Sequence, residues 1–245
     1  MFKRILIICA MTLLSVYLIA AMTIFNKKPT DTKCPGIVMN IMDDVDYGFV
    51  TTNDITVLLK KKKLLPDGKT IKEINVRNIE EALALNPFIR EAECYTTSGG
   101  KIGIDLYQRI PILRVMSSDG DNYYIDNEGK VMKAYRKPIH VAIATGRINR
   151  EFAQKELYEL AKFISNNRFW KAQTEQINIT ANQEVEIIPR VGNHILFLGK
   201  AKEYEKKFSK LQTFYEEGLN EVGWNKYKRI SIEFNNQIIC TKKGE

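Results

Sequence analysis

The sequence predicts an α+β protein. An N-terminal membrane-spanning helix leads into a β-α-α-β-β block and then a larger mixed β-domain with two longer helices. Three observations predict it. Ile5 to Phe25 is uncharged and mostly apolar, with the ~20-residue length that crosses a bilayer core. From 37 to 110 the apolar residues change from strand to helix period and back. Beyond Pro111 short alternating runs dominate, interrupted by two stripes of helical spacing.

The span divides the chain into a cytoplasmic tail (1–4), a transmembrane helix (5–25) and a soluble part. Its polar residues, Cys9, Thr12, Ser15 and Thr23, are small enough to bond the helix backbone. Lys3 and Arg4 precede it, while Lys27, Lys28 and Lys33 follow, so charge counting alone leaves the direction open. The short basic tail favours an inside N-terminus and an exported C-terminal domain. A cleaved signal peptide is the rival, but its apolar core runs about 7–15 residues, and Ile19-Ala20-Ala21 is a poor cleavage site.

Residues 26–36 (NKKPTDTKCPG) read as a polar linker. The first block, 37–110, opens on the strand Ile37 to Ile41. Thr52, Asn53 and Asp54 supply helix-capping side chains before Ile55, Leu58 and Leu59. The Lys60 to Lys63 run closes this helix, where cations suit the negative dipole end. A second helix is expected near Asn78, with Asn78 and Glu81 approximating a capping box and Ile79, Ala82 and Leu83 inward. Pro87 stops it. Strands Phe88 to Thr96 and Ile102 to Gln108 meet at the Ser98-Gly99-Gly100 turn.

The second block, 111–245, is expected to hold strands at Ile112–Met116, Tyr123–Asp126, Val131–Ala134 and His140–Thr145. A helix from Arg150 to Asn166 follows. Strands at Gln176–Thr180, Val185–Ile188 and Ile195–Leu198 precede a second helix, Ala201 to Glu217. That helix turns Tyr204, Phe208, Leu211 and Tyr215 inward and stops at Gly218. The chain closes with Arg229 to Phe234, a turn at Asn235-Asn236, and Gln237 to Thr241. Ile230, Ile232 and Phe234 are expected to face inward.

Composition excludes more than it assigns. The net charge is +8 over 245 residues, and the lysines are largely interleaved with Glu and Asp, which reads as a solvated surface and not a nucleic-acid footprint. The cysteines Cys34, Cys94 and Cys240 are too few and too far apart for a disulfide framework, and one disulfide or three free thiols both fit. There is no G-x-S-x-G, no phosphate-binding G-x-x-x-x-G-K-[ST] and no H-E-x-x-H. His140 and His194 lack neighbours at metal-ligand spacing and read as surface or edge-strand residues. Asp43-Asp44-Val45-Asp46 loosely resembles a calcium loop but lacks the distal Glu. Asn178-Ile179-Thr180 fits a glycosylation sequon, incidental within a strand. No catalytic, cofactor-binding or metal-ligating residue is expected, and no enzyme.

The first block resembles a POTRA domain. Asn86-Pro87-Phe88-Ile89-Arg90-Glu91-Ala92-Glu93-Cys94 is similar to the N-P-[FW]-[IV]-x-x-A-x-V pattern entering its second strand. Arg109-Ile110-Pro111-Ile112-Leu113-Arg114-Val115 is similar to its E-R-x-P-I-A-x-V exit, with Gln108 where Glu is usual. Tyr124-Ile125-Asp126-Asn127-Glu128-Gly129-Lys130-Val131 resembles the Y-L-x-D-x-x-G hairpin that opens the next domain. Behind a single N-terminal span, this order resembles the FtsQ/DivIB family of bacterial cell-division proteins. The resemblance implies a non-catalytic divisome scaffold in the cytoplasmic membrane, with its domains in the periplasm at the septum. The implied partners are FtsB/FtsL-like coiled-coil membrane proteins and FtsW/FtsI-like septal peptidoglycan synthesis machinery. It implies that a partner adds a strand to the last strand, here Gln237, Ile238, Ile239, Cys240 and Thr241. It points more weakly to Arg90, Glu91 and Tyr95 in the POTRA-like block. The alternatives are a POTRA-bearing chaperone-like module for secretion or outer-membrane assembly, and a membrane-anchored cell-wall enzyme.

Overall fold

The computed structural model describes residues 2–25, 32–43, 48–134 and 139–244. Residues 26–31 of the linker and Asp44, Val45 and Asp46 of the acidic loop lie outside the described residues. The chain falls into two compact units, Met1–Tyr107 and Gln108–Glu245.

The first unit begins with helix α1 (Phe2–Phe25). Its large apolar side chains, from Leu6 to Met22, are exposed. Among the described residues no helix is long and apolar enough to cross a membrane, so the expected span is not shown. Strand β1 (Ile37–Ile41) follows, then α2 (Thr52–Lys61) and α3 (Val76–Ala84). Strands β2 (Ile89–Thr96) and β3 (Ile102–Gln108) complete a three-stranded sheet in the order β1-β3-β2, with β1 parallel to β3. Each helix starts earlier than its spacing suggests, because a better cap lies upstream. Thr51 and Asp54 form a reciprocal capping box on α2, and the Asn75 side chain accepts the Asn78 N–H at 3.3 Å on α3. Ile55, Leu59, Ile79 and Leu83 then bury one stripe of each helix with Ile89, Ile102, Ile104 and Leu106.

The second unit is one nine-stranded sheet. Its strands are β4 (Pro111–Ser117), β5 (Asn122–Asp126), β6 (Val131–Lys133), β7 (Ala142–Gly146), β8 (Thr174–Ile179), β9 (Val185–Pro189), β10 (Ile195–Gly199), β11 (Tyr227–Ser231) and β12 (Ile239–Lys242). Their order is β12-β11-β10-β9-β8-β7-β4-β5-β6. Parallel neighbours need crossovers, and helices supply two of them. Between β7 and β8 run α4 (Arg150–Gln154), α5 (Glu156–Asn166) and α6 (Arg168–Gln173). Between β10 and β11 run α7 (Tyr204–Thr213), a π-helical turn (Phe214–Leu219) and the short α8 (Asn220–Val222).

Both crossovers share one core with the sheet. Trp170 of α6 lies 4.7 Å from Phe208 and 5.8 Å from Tyr215, ring centre to ring centre. Phe163 of α5 sits 5.3 Å from both Tyr204 and Phe208. On the strands, Val115, Ala144, Ile177, Ile187, Leu196 and Ile230 face this core.

Several expectations are corrected. The Arg150–Asn166 helix is broken at Lys155 (φ −111°, ψ −94°). The helix expected to stop at Gly218 continues through a π turn to Gly223, whose φ of 93° ends it. Gly218 serves instead for close approach: a Cβ there would lie 2.8 Å from the Phe214 ring. Phe234 is not inward but 50% exposed, because β11 ends at Ser231 and Phe234 enters the turn. His194 is not a surface residue but 3% exposed. All four cysteines are free.

Candidate interaction edge

The terminal hairpin ends the sheet. β12 pairs antiparallel with β11 through Arg229↔Thr241, Ile230↔Cys240 and Ser231↔Ile239. It is the last strand in the order, so its outer backbone groups have no strand partner among the described residues. Such an edge is a template for another strand. The exposed Lys242 and Lys243 lie at its far end.

The strand has two different faces. Ile238 and Cys240 are half-buried against the helical core. Burial pushes the Cys240 thiol's pKa up, so it stays protonated and packs as a small apolar group. Ile239 points to the face opposite the helical core and is 45% exposed. It ends a cross-strand row running Met116, Thr145, Asn178, Glu186, Phe197, Ser231 and Ile239 over seven neighbouring strands. Of the expected edge residues, Ile239, Cys240 and Thr241 belong to β12, while Gln237 and Ile238 precede it.

Polar side chains knit that opposite face. The Asn178 amide donates to Glu186 Oε2 at 3.1 Å, which occupies the sequon asparagine. Arg229 Nη1 donates to Glu186 Oε1 at 2.9 Å, and its guanidinium lies 4.2 Å from the centre of the Phe197 ring on the strand between. This bridge ties β11 to β9 across β10 and holds the strand on which β12 is templated. The periodicity of single strands carries no sign of it, because it exists only once non-adjacent strands are in register.

On the helical side, a groove of ≈630 Å³ separates the crossover from the hairpin. Phe214, Glu217 and Gly218 form one wall, and Asn236, Gln237 and Ile238 the other. Side chains of a strand added to β12 would alternate between this groove and the opposite face. The hairpin turn is anchored to the start of the crossover by Asn235 Nδ2 donating to Glu203 Oε2 at 2.9 Å.

In the first unit, Arg90 and Tyr95 come to the same sheet face. The Arg90 guanidinium lies 5.3 Å from the Tyr107 ring centre. Tyr95 lies over Gly103, where a Cβ would be 2.6 Å from its ring, and its hydroxyl donates to Asp105 at 3.4 Å. Glu91 is exposed in β2. Within β2, Glu80 of α3 accepts the Cys94 N–H at 2.7 Å. Burial, aided by the Glu80 and Asp105 carboxylates, pushes the Cys94 thiol to about 12, which makes it structural.

Among the described residues no group of three or more His, Cys, Asp or Glu side chains could hold a metal ion. No curated protein matches the chain. A POTRA-like domain profile matches residues 32–107. An FtsQ/DivIB C-terminal related profile matches residues 110–241. Both families are generally non-catalytic. With more than half of its length matched by the second profile, the chain belongs to the FtsQ/DivIB family and is a cell-division-related protein.

Proposed function

We propose that this protein is a non-catalytic divisome scaffold tethered to the cytoplasmic membrane, and that it recruits a partner by accepting a strand on β12. The observation that carries the reading is the position of β12 at the open end of a nine-stranded sheet. In strand addition, main-chain hydrogen bonds supply affinity and alternate side-chain pockets supply selectivity. The groove beside Ile238 offers a pocket on one face, and the exposed Ile239 offers an apolar contact on the other. An FtsB/FtsL-like coiled-coil membrane protein, extended beyond its coil, is the expected partner, with FtsW/FtsI-like synthases recruited through it.

The tether is α1. The proposal rests on the uncharged sequence from Ile5 to Phe25, held in a 24-residue helix that extends about 36 Å at 1.5 Å per residue, against a hydrocarbon core of ~30 Å. Exposed apolar side chains from Leu6 to Met22 suit lipid better than water. Thr12 donates to the Cys9 carbonyl at 2.9 Å and Ser15 to that of Met11 at 2.6 Å, so these hydroxyls need no water. The short basic tail and the family match support a periplasmic, septal location for the domains.

Two experiments test the proposal. Depleting the protein should give filaments that fail to septate, and normal septation would reject a division role. Ile239→Pro removes a backbone donor from β12 and should lower capture of an FtsB-like partner at least ten-fold, whereas the milder Ile239→Val should retain it. Equal capture by both variants would reject the edge.

A further inference from the structure

We infer that the lysine-rich end of α2 and the loop stitched beneath it form a docking surface for anionic lipid headgroups. The inference rests on α1 spanning the membrane.

Lysines scattered in sequence converge here. Lys60 and Lys61 close α2, Lys62 caps it and Lys63 follows in the left-handed region at φ 60°. Lys69 Nζ reaches back to donate to the Lys63 carbonyl at 3.0 Å. The first described residues after α1 are bonded to the same loop. Cys34 N–H donates to the Lys69 carbonyl at 2.8 Å, Gly68 N–H to the Cys34 carbonyl at 2.9 Å and Ile71 N–H to the Thr32 carbonyl at 3.2 Å, and Lys33 bridges Thr70. Lys33, Lys60 to Lys63 and Lys69 are all exposed. Only Asp67 and Glu73 interrupt them along the loop, and Glu73 is turned to the Thr70 N–H at 3.3 Å. The helix dipole accounts for Lys60 and Lys61 in the last turn. It extends to Lys62 at the cap and Lys63 just beyond it, but does not account for Lys33 and Lys69, which come from other segments.

Chain length decides what such a surface can meet. From Phe25, the end of α1, to Thr32 the backbone reaches at most about 25 Å, at ~3.3–3.6 Å per residue. The headgroup layer projects about 5–7 Å beyond the hydrocarbon, and attraction persists for ~8 Å at physiological salt. The loop bonded to residues 32–34 is thus tethered within reach of the lipid surface its charge complements. Docking there would limit how far the POTRA-like unit departs from the membrane.

The test uses the full chain in nanodiscs of phosphatidylcholine alone or mixed with phosphatidylglycerol. A water-soluble acylating reagent is applied and each lysine is quantified by mass spectrometry. At low salt, Lys60 to Lys63 and Lys69 should react several-fold more slowly in the anionic discs. Lys171 and Lys206, exposed on the second unit, should not change. Salt at ~1 M, which shortens screening to about 3 Å, should erase the difference. Replacing Lys61 and Lys62 by Glu should erase it at Lys63 and Lys69. Equal rates in both lipids, with the chain embedded, would overturn the inference while leaving the tether intact. A uniform slowing of all lysines would overturn it as well. A chain that does not copurify with the discs would overturn both.

Discussion

His194 shows how one buried polar side chain ties the crossover to the sheet. Its Nε2 lies 2.8 Å from the Tyr215 hydroxyl, and the rings meet edge-on at 5.6 Å. Tyr215 in turn packs on Trp224 at 4.9 Å. Burial disfavours the imidazolium and lowers the His194 pKa below its ordinary 6.5, and the nearby Lys243 acts in the same direction. The unfolded chain therefore takes up a proton near pH 6.5 that the folded chain refuses. Stability from this site is complete above that value and falls as pH drops toward the lowered folded-state pKa. Melting the wild type and His194→Gln between about pH 7.5 and about pH 5.5 should show the larger loss in the wild type. Parallel pH profiles would contradict this. From sequence alone His194 belongs at the surface or on an edge strand, because a lone histidine in a strand-rich region carries no sign of which residue will cover it. Tyr215 was legible as core, since it continues the helical stripe of Tyr204, Phe208 and Leu211.

At the scale of elements, the long crossover before β11 is the least regular piece and the one nearest the edge. Phe214–Leu219 widens into a π turn, a form often retained at functional sites. Gly218 lets the Phe214 ring lie against the backbone, and that ring lines the groove beside Ile238. Gly218→Ala should displace Phe214, since the ring and a new Cβ cannot share that space. The expected cost is about 1 kcal/mol of stability, with weaker strand capture, as read by denaturant melts and the same pull-down. A variant that melts and binds like the wild type would show that the groove wall is unimportant. Trp170→Ala should be far more damaging, about 3–5 kcal/mol, because Trp170 is 1% exposed at the junction of both crossovers. Element types were largely legible in the sequence: the alternation of Ile102, Ile104 and Leu106 and the stripe of Ile79, Ala82 and Leu83 lie where the periods place them. The breaks were not. Lys155 bears no Pro or Gly signal, and α6 is too short for its period to be read. Helix starts shifted because Thr51 and Asn75 cap more completely than the residues after them.

For the whole molecule, the proposed tether α1, the POTRA-like unit and the nine-stranded sheet follow one another along the chain, and the outer edge of the last strand has no strand partner among the described residues. The family was legible because its signatures lie in contiguous stretches, Asn86 to Cys94 and Tyr124 to Val131. The candidate site was half legible. The edge follows from the terminal position of β12, but the Arg229–Glu186 bridge and the groove exist only after distant strands and helices are brought together. Amide hydrogen exchange on the full chain in nanodiscs, with and without an FtsB-like partner, tests the central claim most directly. The largest gain in protection is expected on residues 237–242, with smaller gains along β11 and the wall at Phe214. Unchanged exchange across 237–242 while the partner is bound, with protection gained elsewhere, would contradict it.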